Sequence, residues 1–144
     1  MNPGGNSSIR GAEWGCRGTE LNGADGKAIG TGSQNTRDII AGCTTGETAA
    51  DLCANLTLNG YSDWFLPSID ELDEMYQNQI TINATAVVNG GSEFSTLNIS
   101  GDRYWSSTEL DLGPDHFAWL VDFENGPSNR SKNDNLYVRA VRAF

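Results

Sequence analysis

The chain has 144 residues, a length that suits one domain, and its four Trp, four Tyr and five Phe supply large core pieces. Its formal net charge of −10 leaves no basic stripe to neutralise phosphates, so nucleic-acid binding and docking on anionic membranes are both disfavoured. No apolar run approaches a membrane span, and MNPGGNSSIR has no signal-peptide core. That leaves a cytoplasmic protein or a module of a longer exported one.

Residues 1–12 are rich in Gly, Asn and Ser and read as irregular. EWGCRG puts Trp14 and Cys16 on one side of a short extended piece, and GADGKAIGTG reads as loop. SQNTRDIIAGC suits a helix capped by Ser33 or Asn35, with Ile39 and Ile40 inward and Gly42 as its stop. A second helix is expected over 46–57, where Ala49, Leu52, Cys53 and Leu56 make one apolar stripe. A third is expected over 68–78. There Ser68 and Glu71 form a capping box, Ile69, Leu72, Met75 and Tyr76 face inward, and Asp70, Asp73 and Glu74 face water.

After about residue 102 the period changes to two. In FAWLVDFENG, Trp119, Val121 and Phe123 are expected inward, with Leu120 and Asp122 outward. Asn125-Gly126 is a two-residue hairpin turn signal. LYVRAVRAF reads as the last strand, so hairpin strands are expected near 117–124 and 136–143. Helices first and strands later, without a βαβ rhythm, predict an α+β fold. In the last strand Arg139 and Arg142 point to opposite faces, so one must be buried beside a carboxylate, with Glu109 the first choice and Glu71 the second.

The chemistry-bearing stretches have plain structural readings. The hydroxyls Ser106, Ser107 and Thr108 in YWSSTE lack a nucleophile elbow or a Ser-x-x-Lys partner, and the only imidazole is His116 in a distant loop. They are read as scaffold bonded to backbone, and no catalytic residue is assigned. Asp70, Glu71, Asp73 and Glu74 are read as a capped, solvated helix face. Cys16, Cys43 and Cys53 fit no zinc spacing; one disulfide plus a free thiol and three free thiols both fit. KNDN at 132–135 is the one stretch that raises Ca²⁺, but fewer than six protein oxygens can be nominated, so no cofactor or metal ligand is assigned.

Six motifs in fixed order carry a family resemblance. They are WGC.G at 14–18, GTGSQNT at 30–36, GYSDWFLPSIDEL at 60–72, YWSSTE at 104–109, AWLVDFENG at 118–126 and YVRAVRAF at 137–144. Over residues 12–144 the chain resembles the bacterial domains named for the C-terminal domain of the Lcl collagen-like adhesin. The resemblance implies one C-type-lectin-like domain over 13–144, in which two main helices pack on a small, mostly antiparallel sheet with long loops. It also implies a non-enzymatic receptor or adhesin-type module at a cell or virion surface, part of a longer protein. Some members are variable proteins of diversity-generating retroelements, which present a hypervariable surface just before a VRAVRAF-like end. YWSSTE looks like fixed framework in the family.

Residues 110–136 are accordingly expected to carry the ligand surface, through Leu110, Asp111, Leu112, Asp115, His116, Leu120, Asp122, Pro127, Ser128, Asn129, Arg130, Asn133, Asp134 and Leu136. An outward Leu is poor surface chemistry unless something binds there. The expected partner is a protein or glycan on another cell or surface. The alternative reading is a structural or oligomerisation domain of a surface adhesin or phage fibre. Family domains open with an apolar strand that pairs with the last one; the glycine-rich opening here predicts self-association through that edge, or its coverage by residues 1–13.

Overall fold

The computed structural model describes residues 8–88, 103–110 and 116–143. In chain order its elements are β1 (Ser8–Ala12), α1 (Gly32–Gly42), α2 (Ala49–Ala54), α3 (Ile69–Gln77), α4 (Gln79–Val88), β2 (Arg103–Glu109), β3 (Phe117–Asp122), β4 (Gly126–Ser131) and β5 (Leu136–Arg139). The fold is α+β, with one five-stranded sheet in the order β1-β5-β2-β3-β4. Every pairing is antiparallel except β2 with β5.

The glycine-rich opening is not irregular throughout. Residues 8–12 form β1, which covers the outer edge of β5 through the pairs Ser8↔Arg139 and Ile9↔Val138. Of the two expected outcomes, self-association or coverage by residues 1–13, the second is what the chain shows.

The sheet carries apolar side chains on both faces. On one face Trp105, Leu120, Val138 and Ala140 pack with Trp14, Leu21, Ile39, Ala49, Ala50 and Cys53, beneath α1 and α2. On the other face Tyr104, Val121 and Phe123 pack with Ile69 and Leu72 of α3. The ladder fixes this division, because Tyr104 pairs with Val121 and Trp105 with Leu120. Cross-strand partners share a face, and neighbours along a strand alternate.

Local sequence sets the helix ends. Ser68 and Glu71 make both bonds of a capping box at the start of α3, and Thr48 and Asp51 do the same for α2. The Thr48 box starts α2 later, and Asn55 ends it sooner, than a 46–57 helix requires. At α1 neither Ser33 nor Asn35 is the cap; Thr31 holds that position without a side-chain bond. Asn35 is buried instead, and its amide bonds Gly26 and Ser107. The Glu71 carboxylate accepts from the N–H groups of Gly30, Gly32 and Ser68, so one negative charge sits at the starts of both α1 and α3. Of the two isoleucines in α1, Ile39 is buried and Ile40 is 40% exposed. On α3, Asp73 is half-buried rather than fully in water.

The β3–β4 connection is a three-residue loop closed by Asp122↔Gly126, not a two-residue Asn-Gly turn. Gly126 takes the left-handed conformation, φ +94°, that follows a turn of this length. Cys16 and Cys43 form a disulfide, while Cys53 is a buried free thiol. Desolvation pushes the Cys53 thiol far above its ordinary range, so it stays protonated core.

Candidate binding surface

The hydroxyl-rich end of β2 is buried scaffold. Between Trp105 and Glu109 the pairing with β3 is interrupted, resuming at Glu109↔Ala118, and backbone N–H groups there bond elsewhere: Ser107 N–H to Pro67 O and Glu109 N–H to Ala24 O, both 2.7 Å. Each side chain then has a structural task. Ser106 donates to Trp119 O at 2.7 Å. Ser107 accepts from the Asn35 amide. Thr108 donates to Gly26 O and accepts from Ile69 N–H, tying loop, helix and sheet together. Trp14 Nε1 donates to Ser106 O, and Trp105 Nε1 to Ala12 O. None of these hydroxyls meets His116, which lies against Gly18 and edge-on to the Phe117 ring.

Glu109 pairs with Lys132, not with an arginine. Arg139 is buried, as the alternation of the last strand requires. Arg142 forms a two-point ion pair with Asp63, at 2.7 and 3.0 Å, and stacks 3.5 Å from the centre of the Tyr61 ring. The carboxylate first chosen for a buried arginine is thus taken by the lysine that follows β4, and Glu71 is taken by backbone N–H groups.

The residues expected to bind a ligand divide into groups. Leu110 is 8% exposed, Leu120 0% and Asp122 9%, so these three do not point away from the core. For Leu120 and Asp122 the reason is that β3 is an inner strand with apolar layers on both sides, so from Leu120 to Asp122 both phases of its alternation are buried; Leu110 lies just past the closed end of β2. Asp122 holds the turn: its carboxylate accepts from Glu124 N–H at 2.9 Å, from Asn125 N–H and side chain, and from Arg103 at 3.2 Å. Burial works to raise its pKa, but these donors and the Arg103 charge outweigh it and hold the carboxyl below the ordinary range.

Of the rest of the set, the β4 residues are exposed but alternate between the two faces of the sheet. Pro127, Ser128, Asn129 and Arg130 lie exposed on the edge strand β4, whose main chain pairs with β3 from Asp122↔Gly126 to Phe117↔Ser131. Asn133 is exposed in the next turn and accepts from Ser131 Oγ, which also accepts from Arg17 Nε. His116, Asp134 and Leu136 are half-buried at the border. Asp111, Leu112 and Asp115 lie outside the described residues.

Two aromatic neighbours escaped the sequence reading. Phe117 is 37% exposed, and Trp119, read as core, is half-buried. They stand opposite Ser131 and Asn129 on the face that carries α3. The Lys27 ammonium lies 5.4 Å from the Trp119 ring centre. Trp119 Nε1 and Asp73 Oδ1 are buried atoms with no hydrogen-bond partner among the described residues. No group of three or more His, Cys, Asp or Glu side chains is placed to hold a metal ion among the described residues.

What these elements define is a disulfide-linked α+β domain with a polar-stitched centre and one exposed edge strand. The family described as the Lcl C-terminal domain matches residues 16–142, and the chain belongs to it. It is a family of adhesin-like domains and not a known enzyme family. Neither the curated proteins nor the solved structures contain a match to the chain.

Proposed function

We propose that the chain is a ligand-binding module of a surface adhesin, with a C-type-lectin-like fold, that engages a protein or glycan on another cell or surface. The binding surface wraps the edge strand β4, with Pro127 and Asn129 on the face that carries α3, Ser128 and Arg130 on the opposite face, and Asn133 in the following turn. Asp111, Leu112, Asp115, His116, Asp134 and Leu136 form its border, and Phe117 and Trp119 supply aromatic contacts. Leu110, Leu120 and Asp122 act beneath it as support.

One observation carries this reading. The β4 backbone is held along its length by β3, while its side chains from 127 to 130 are free. Side chains that do no packing on a backbone that cannot move are what a binding surface requires, and they can change without cost to the fold. The same property suits diversification by a retroelement. A disulfide fits an oxidising compartment outside the cytoplasm, which supports the surface location. No helix among the described residues is long and apolar enough to cross a membrane.

The second reading, an oligomerisation domain of an adhesin or phage fibre, draws on the outer edge of β4, which has no neighbouring strand among the described residues. Beads coated with the chain, challenged with immobilised glycans and proteins, test the first reading. Replacing Ser128, Asn129 and Arg130 together by Ala is expected to abolish capture; unchanged capture defeats the proposal. Sedimentation at several concentrations tests the second, which requires concentration-dependent assembly that the same substitutions weaken.

A further inference from the structure

Lys132 is the least expected residue of the core. It is fully buried, and its Nζ lies 2.5 Å from Oε2 of Glu109, itself 2% exposed. A second N–H of the amine is held by Thr19 O at 2.9 Å, and the Trp14 ring centre lies 4.8 Å away. Leu21 N–H donates to both carboxyl oxygens of Glu109, at 3.2 and 3.1 Å. Burial raises the Glu109 pKa against the pull of Lys132 and the Leu21 N–H, and the charge of Asp25 adds to the rise. The buried acid and amine are thus in direct contact, within reach of proton transfer.

We propose that Lys132 and Glu109 condense into an intramolecular amide cross-link between Nζ and Cδ. The carboxyl carbon lies one C–O bond behind an oxygen already in contact with the amine, near the roughly 3–3.5 Å of an attack geometry. A proton passes from the ammonium to the carboxylate, giving a neutral amine and a carboxylic acid. The nitrogen lone pair attacks Cδ, the C–N bond forms, and the carbonyl π pair moves onto oxygen. Leu21 N–H stabilises that oxyanion, and Thr19 O fixes the orientation of the amine. The nitrogen proton goes to the hydroxyl, the C–O bond breaks, and one water leaves. No oxidant or further reactant is needed. Exclusion of solvent from both side chains protects the product from hydrolysis. The cross-link joins the end of β2 to the residue just after β4, so a pull on the proposed binding face passes into an inner strand by a covalent path.

The test is the intact mass of the wild-type protein, denatured and with its disulfide reduced. It is expected to be one water, about 18 Da, below the sequence mass, and the Lys132→Met and Glu109→Ala variants are expected at their full masses. Proteolysis of the wild type is expected to release one branched peptide joining Glu109 to Lys132. A wild-type mass equal to the sequence mass overturns the proposal, as does a mass loss whose fragments map elsewhere, such as ammonia lost at Asn125-Gly126. The readout is covalent, so it does not depend on either variant folding.

Discussion

Two polar strands, β2 with RYWSSTE and β4 with GPSNRS, meet opposite fates in one sheet. Every residue of β2 after Arg103 is buried, whereas β4 exposes four consecutive side chains. Composition does not separate them, since both are rich in hydroxyl side chains. Position does. β2 lies between β5 and β3, and loop residues 24–26 and the start of α3 close over its end. Its hydroxyls replace the water they lose with backbone partners, which is what makes their burial tolerable. β4 is the last strand of the described sheet and its side chains from Pro127 to Arg130 meet solvent, so the described packing does not depend on them. A polar strand is therefore a scaffold or a surface according to what lies over it.

The contrast is sharpest at the core pair. Glu109→Ala leaves Lys132 buried without its carboxylate, a loss expected to cost about 3–5 kcal/mol in denaturant unfolding. A cost near zero would mean that Lys132 escapes to solvent and that the end of β2 is not closed. Thr108→Val comes next. It keeps the shape but strips the acceptor from Ile69 N–H and the donor from Gly26 O, and about 1–3 kcal/mol should be lost.

The Asp122 turn adds a pH dependence between these extremes. Its folded-state pKa lies below the ordinary carboxylate value, so its contribution is fully present above about pH 4 and is lost as pH falls through the lowered value. Asp122→Asn should flatten that part of the acid-denaturation curve, and an unchanged curve would show that the turn donors do not hold the carboxylate. Smallest of all are Ser128→Ala, Asn129→Ala and Arg130→Ala, each expected within about 0.5 kcal/mol of wild type.

Much of the fold was legible, because its signals are local. The Ser68–Glu71 capping box placed α3, and the alternation after residue 102 placed β3 and β5 in an α+β fold. What stayed hidden depends on partners distant in sequence. Alternation in β3 marks two faces but neither which of them is core nor where the cover ends, so it puts buried Leu120 outside and half-buried Trp119 inside. A residue named Lys in a loop-like KNDN carries no sign of burial; only its position opposite Glu109 and Trp14 creates that. Three cysteines fit either one disulfide or none, and which two would pair is not written in the spacing; the fold brings the Cα atoms of Cys16 and Cys43 to 5.8 Å. The edge strand β4 has no local signal: GPSNRS lacks an alternating apolar pattern and reads as turn, and only its pairing with β3 makes it a strand.

The central claim is that the exposed β4 side chains from Pro127 to Arg130 serve binding while the buried β2 side chains serve the fold. Its most direct test measures melting temperature and bead capture side by side for the Ser128, Asn129, Arg130 triple alanine variant and for Thr108→Val. The account predicts that the triple variant melts within a few degrees of wild type but loses capture, and that Thr108→Val melts several degrees lower yet captures normally while folded. A triple variant that captures as wild type does, or that unfolds like Thr108→Val, would contradict it.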